Sequence, residues 1–75
     1  MTKTFGIRVD ASFLTPLDFI VDQIAHQIKR ETDYEIDTIK AMVSKNLKKR
    51  KIHSQNVTHY YVDIPISVLI EDGFD

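Results

Sequence analysis

Hydrophobic and polar residues alternate in the first segment of the chain, residues 3–10. Phe5, Ile7 and Val9 would point to one side of an extended backbone, and Thr4, Gly6 and Arg8 to the other. A period of two residues is typical of a strand with one buried face. The pattern therefore predicts a strand over residues 3–10 whose apolar face needs a cover.

Two segments with the period of an amphipathic helix follow. Thr15 precedes Pro16, and this arrangement favours the start of a helix. It predicts a first helix over residues 16–30. Thr32 and Glu35 have the spacing of a capping box, which predicts a second helix over residues 33–50. The apolar stripes of the two helices are Leu17, Ile20, Val21, Ile24 and Ile28, then Ile36, Ile39, Val43 and Leu47.

Alternation returns near the end of the chain and predicts a second strand over residues 57–66. Pro65 has no N–H to donate, so this strand either lies at a sheet edge or stops or bulges at the proline. An acidic tail, residues 71–75, follows. The predicted fold is a small α+β domain of order β-α-α-β that spans residues 1–75.

Composition restricts the function without naming it. The 75 residues suffice for one small domain, and 43% hydrophobic with 28% charged residues is ordinary for a globular chain. A formal net charge of −1 excludes a uniformly basic nucleic-acid coater and a strongly acidic DNA mimic. Because a core this small stabilises a fold by only about 3–5 kcal/mol, we expect a homodimer.

The chain has no cysteine, which excludes disulfides, thiolate nucleophiles and cysteine-based zinc sites. No apolar run approaches the roughly 18 residues of a membrane span, and no signal peptide is recognisable, so we expect a cytoplasmic protein without a membrane partner. His26, His53 and His59 have no regular ligand spacing. We therefore expect no enzyme activity, metal, cofactor or small-molecule substrate.

Positive charge is concentrated in one block. Residues 38–56 contain six Lys or Arg and no acid. On the predicted second helix, basic side chains opposite the apolar stripe would be placed to contact phosphates. The same residues at a helix C-terminus would also interact favourably with the helix dipole. The candidate residues for binding the phosphate backbone of a nucleic acid are Lys45, Lys48, Lys49, Arg50 and Lys51.

A strand with the sequence Thr4-Phe5-Gly6-Ile7-Arg8-Val9, followed by two amphipathic helices, resembles the ribbon-helix-helix family of DNA-binding proteins over residues 3–50. The resemblance implies a homodimeric transcription regulator that inserts a two-chain ribbon into the major groove of double-stranded DNA. It implies that Phe5, Ile7 and Val9 face the dimer core. Thr4, Gly6 and Arg8 would then face base edges, where arginine suits guanine.

Two other architectures use the same elements. The strands over residues 3–10 and 57–66 can pair within one chain and cover a helical hairpin, which buries every apolar stripe. A winged helix, with residues 51–64 as the wing, lacks the usual third helix. The alternative function is a protein-protein adaptor or inhibitor that uses exposed aromatic residues and the acidic tail. The aromatic candidates for that surface are Phe19, Tyr34 and Tyr60.

Overall fold

The computed structural model of the protein describes residues 1–69, which form a small α+β fold as predicted. A three-residue 3-10 turn, His53–Gln55, joins the last two strands, and residues 66–69 are helical. The acidic tail predicted over residues 71–75 lies outside the described residues. The regular elements are β1 (Thr2–Asp10), α1 (Leu17–Lys29), α2 (Ile36–Asn46), β2 (Lys48–Ile52) and β3 (Val57–Pro65).

The three strands form one antiparallel sheet of order β1-β3-β2. β1 pairs with β3 in the same chain along its whole length, from Thr2 opposite Pro65 to Asp10 opposite Val57. β2 pairs with the other side of β3, from Lys48 opposite Tyr61 to Ile52 opposite Val57. Pairing of the two predicted strands within one chain, which the sequence left open, is thus the arrangement that the structure adopts.

The predicted second helix over residues 33–50 is too long at its C-terminal end. Leu47 leaves the helical region with φ −61° and ψ 130°, and the basic residues that follow form β2. β2 and β3 make a hairpin whose turn ends at Asn56, in the left-handed region with φ 51°. Asparagine is among the residues that adopt this conformation most readily. Backbone pairing with β3 therefore overrides the helical preference of the lysines.

Neither threonine predicted to cap a helix does so. α1 begins after Pro16 and α2 begins after Glu35, and neither of these N-cap residues makes a side-chain cap hydrogen bond. The Thr32 hydroxyl oxygen instead accepts the backbone N–H of Tyr34 at 3.2 Å, which forms a turn before α2. Of the two alternatives for Pro65, the structure shows the strand that stops at the proline: β3 ends at Pro65 and is the central strand of the sheet, not an edge.

The core lies between the two helices and one face of the sheet. Phe5, Val62 and Ile64 supply the sheet side, and Ile24 and Val43 are fully buried on the helix side. The remaining buried apolar residues are Ile20, Val21, Ala25, Ile28 and Ile39. Because the helices cover only this side, the other face of the sheet is left uncovered.

No helix of the described residues is long and apolar enough to cross a membrane.

Candidate functional site

The uncovered face of the sheet carries side chains from all three strands in cross-strand rows. Residues directly opposite each other in a sheet share a face. In one row His59 of β3 lies between Arg8 of β1 and Arg50 of β2. We call this surface the open face; its central residues are Thr4, Gly6, Arg8, Lys48, Arg50, His59, Tyr61 and Asp63.

An aromatic pair stands at the centre of the open face. The rings of His59 and Tyr61 are stacked, with their centroids 5.2 Å apart and their planes 25° from parallel. Gly6 lies beside this pair, because a Cβ on Gly6 would come within 2.9 Å of both His59 Nε2 and the Tyr61 Cβ. It would also collide with the Tyr60 carbonyl oxygen, which belongs to the backbone. The position therefore needs a residue without a side chain.

Gln27 of α1 holds Gly6 from the outer edge of β1. The Gly6 N–H donates to Gln27 Oε1 at 3.1 Å, and Gln27 Nε2 donates to the Gly6 carbonyl oxygen at 2.9 Å. The side-chain amide thus takes the place of a neighbouring strand at this residue. A free strand edge invites pairing with another chain, and Gln27 blocks that edge of β1 at its middle.

The two acidic side chains of the open face accept hydrogen bonds from neighbouring groups. The Thr4 hydroxyl donates to Asp63 Oδ1, and Lys48 Nζ lies 3.5 Å from Asp63 Oδ2. These contacts, with the Thr4 hydrogen bond the larger cause, lower the pKa of Asp63 below its usual value. Asp10, at the end of β1, accepts the backbone N–H of Ser12 at 2.8 Å. Asp63 therefore stays ionised, and both carboxylates are already engaged.

Several cations of the sheet, in contrast, have no anionic partner in the part of the chain that the structure describes. Two other lysines are paired: Lys3 Nζ of β1 lies 2.6 Å from Glu31 Oε1, and Lys40 Nζ of α2 lies 2.9 Å from Asp22 Oδ1. Within residues 1–69, four exposed cations of β1 and β2 make no ion pair and no side-chain hydrogen bond. These four are Arg8, Lys49, Arg50 and Lys51. Unpaired positive charge beside satisfied acids gives this end of the sheet an attraction for anions.

The residues predicted from the sequence to bind DNA separate into two groups. Thr4, Gly6, Arg8, Lys48 and Arg50 come together on the open face. The others do not join them. Lys49 and Lys51 lie opposite Tyr60 and Thr58 on the helix side of the sheet, and Lys45 is exposed in the last turn of α2.

The predicted interface residues also separate. Phe5 is buried in the core of its own chain, so it does not present an outer face to a second subunit. Ile7 and Tyr60 pack against the same core, and Val9 is half-buried. Phe19, with 51% of its surface exposed, and Tyr34, with 37%, remain accessible.

His59 and Tyr61, the two aromatic residues at the centre of the site, are not among the binding residues predicted from the sequence. Alternation in the last strand places His59 and Tyr61 on the face opposite Tyr60, Val62 and Ile64, but it does not say which side chains of other strands lie beside the two rings. The missing information was β2. Once residues 48–52 are paired with residues 57–61, Arg50 and Lys48 fall beside the two rings.

Comparisons of the chain with models of protein families, with curated proteins and with solved structures found no match. The functional argument therefore depends on the geometry of the open face.

Proposed function

We propose that the protein binds nucleic acid through the open face of its sheet. The observation that carries the proposal is the row Arg8–His59–Arg50, in which two guanidinium groups without an ion pair among the described residues flank a ring that stacks on Tyr61. Guanidinium groups bind phosphate oxygens in a planar, two-pronged geometry, and aromatic rings stack on bases. A surface with both features on adjacent strands fits a ligand that alternates phosphates and bases.

The proposal keeps the nucleic-acid partner implied by the ribbon-helix-helix resemblance but changes how it is contacted. Insertion of a two-chain ribbon needs a free edge on β1. One edge of β1 is paired with β3, and Gln27 is bonded to the middle of the other. Docking on the open face leaves both of these interactions intact and still uses Arg8.

Fluorescence anisotropy with labelled oligonucleotides over a range of salt concentrations tests the proposal. Binding should weaken with salt, with a log-log slope of about −0.7 to −0.9 for each phosphate contact. The double variant Arg8→Ala/Arg50→Ala should weaken binding and make the slope shallower by about one for each arginine that contacts a phosphate. Arg30→Ala is the control, because Arg30 is exposed at the C-terminal end of α1 and is not a residue of the open face.

The proposal is wrong if no oligonucleotide, single-stranded or duplex, binds at low salt. It is also wrong if Arg30→Ala reduces affinity as much as the double variant does. In that case the attraction is a property of total charge and not of the open face.

A second candidate function, protein binding, is favoured by a different surface. Phe13, Leu14, Leu17 and Phe19 are 73%, 99%, 57% and 51% exposed, and all lie within residues 13–19. Large exposed apolar side chains so close in sequence are typical of an interaction surface. If this surface binds a partner, an affinity pull-down should recover one protein, and Phe19→Ala should abolish its capture while Tyr34→Ala does not. Equal capture by wild type and Phe19→Ala would refute this surface.

A further inference from the structure

We infer that the open face takes single-stranded nucleic acid, with a base placed on the His59–Tyr61 stack, and not the groove of a duplex. This inference rests on the proposed function and specifies its ligand class. Three features of the sheet support it: its width, the aromatic pair and the position of Gly6.

Width argues against a duplex groove. Adjacent strands lie about 4.8 Å apart, so the backbone of a three-stranded sheet is roughly 10 Å wide before side chains are added. The major groove is about 12 Å wide and admits a helix or a two-stranded ribbon. Arg8 and Arg50 stand on opposite outer strands of this sheet. With its side chains added, a three-stranded sheet is wider than the two-stranded ribbon that the groove admits, so we do not expect both arginines to enter one groove.

A single strand has no such restriction, because its bases can be turned out of a stack and laid across a surface. The paired rings of His59 and Tyr61 offer a ready aromatic surface at the middle of the open face. Arg8 and Arg50 lie directly opposite His59 on either side, so they flank any base placed there. From these positions their guanidinium groups can bind the phosphates before and after that base.

Gly6 links this surface to the rest of the fold. The absence of a side chain at Gly6 leaves room for the His59 ring and the Tyr61 Cβ, each of which would be 2.9 Å from a Cβ at that position. Gln27 fixes the Gly6 backbone from the opposite edge through two hydrogen bonds. Substitution at Gly6 is therefore expected to displace the aromatic pair without changing the charge of the face.

The experiment compares the affinity of the full chain for three labelled probes at one salt concentration: a twelve-nucleotide oligo-dT, a twelve-nucleotide oligo-U and a mixed-sequence duplex of twelve base pairs. We expect both single strands to bind more tightly than the duplex, and their ratio distinguishes DNA from RNA as the preferred form. Tyr61→Leu removes the ring but keeps an apolar side chain. It should weaken single-strand binding by about 5- to 150-fold, the range for loss of one stacked base.

Tyr34→Leu is the matched control, since Tyr34 is a partly exposed tyrosine before α2 and not on the sheet. Gly6→Ala is a second variant, which should displace the His59–Tyr61 pair without removing either ring. Thermal melting verifies that each variant is folded. Weakened single-strand binding by Tyr61→Leu and Gly6→Ala, with Tyr34→Leu unchanged, supports the inference.

Two results would overturn the inference and leave the proposed function standing. One is duplex binding as tight as single-strand binding, lost in Arg8→Ala/Arg50→Ala. The other is single-strand binding that Tyr61→Leu does not alter, which would mean that charge alone holds the strand. If none of the three probes binds, the proposed function itself fails.

Discussion

Removal of the Gln27 side chain tests whether one amide maintains the outer edge of β1. Gln27→Ala deletes two hydrogen bonds to the Gly6 backbone, of 3.1 and 2.9 Å. Each such bond contributes a net of about 0.5–1.5 kcal/mol to stability. Gly6 is only half-buried, so water can replace part of what is lost. Two such bonds together would contribute about 1–3 kcal/mol. We therefore expect Gln27→Ala to lower the free energy of unfolding by about 1–2 kcal/mol, the lower part of that range.

The loss is large for a domain of this size, whose net stability is only about 3–5 kcal/mol. It corresponds to a fall in melting temperature of roughly 4–16 °C. The assay is urea unfolding followed by circular dichroism, with a thermal melt as an independent measure. Gln23→Ala is the matched control, because Gln23 is exposed on the same helix and carries the same change in helix propensity. The reasoning is refuted if the two variants unfold at the same urea concentration.

Gln27→Glu tests separately the hydrogen bond that Gln27 Nε2 donates to the Gly6 carbonyl oxygen. The introduced carboxylate can still accept the Gly6 N–H but faces the Gly6 carbonyl oxygen without a proton to donate. When protonated, below the ordinary glutamate pKa of about 4.3, the carboxyl group can make both bonds. The stability deficit relative to wild type should therefore be larger at pH 7 than at pH 4. A deficit that does not change with pH would show that the Gly6 carbonyl bond is unimportant.

Three further predictions concern the core, the glycine and an ion pair. Ile24→Ala should lower the free energy of unfolding by about 2–5 kcal/mol because Ile24 is fully buried, and Phe19→Ala should change it by less than about 0.5 kcal/mol, both measured by urea unfolding. Gly6→Ala should cost about 1–3 kcal/mol in the same assay, since the new methyl group meets the Tyr60 carbonyl oxygen. The hydrogen bond from Lys40, and then the charge of His26, lower the pKa of Asp22. The Asp22 contribution should therefore be present at neutral pH and be lost as the pH falls through that lowered pKa, so the destabilisation caused by Asp22→Asn should be largest at pH 7 and should decrease as the pH falls below the ordinary aspartate pKa of about 3.9.

The sequence predicts those elements whose pattern reflects burial. Phe5, Val62 and Ile64 alternate with polar residues because one face of the sheet contacts the helices, and Ile24 and Val43 fall on helical stripes for the same reason. The fold class and four of the five regular elements follow from these patterns. Such positions are recognisable because the hydrophobic effect acts on each side chain individually.

β2 has no comparable pattern. Its sequence, Lys-Lys-Arg-Lys-Ile, contains one β-branched residue, and its first four residues are exposed on both faces. Lysine and arginine favour a helix over a strand when nothing else acts on them. β2 exists because β3 offers it a complete row of backbone partners, and that partner follows it in the chain across a short turn. A strand held by its backbone alone leaves no trace in the hydrophobic pattern, and the open face could not be assembled without it.

The basic composition of β2 also has a purely structural explanation, and the geometry separates it from ligand binding. Lysines on an edge strand oppose pairing with other chains, and β2 is an edge strand. That role is independent of which face a lysine occupies, so it accounts for Lys49 and Lys51, which lie on the helix side. It does not account for Arg8 on the opposite edge of the sheet, which has no ion pair within residues 1–69 and lies where Gln27 already blocks pairing. Arg8 is therefore the residue whose effect on nucleic-acid affinity distinguishes a binding surface from a protected edge.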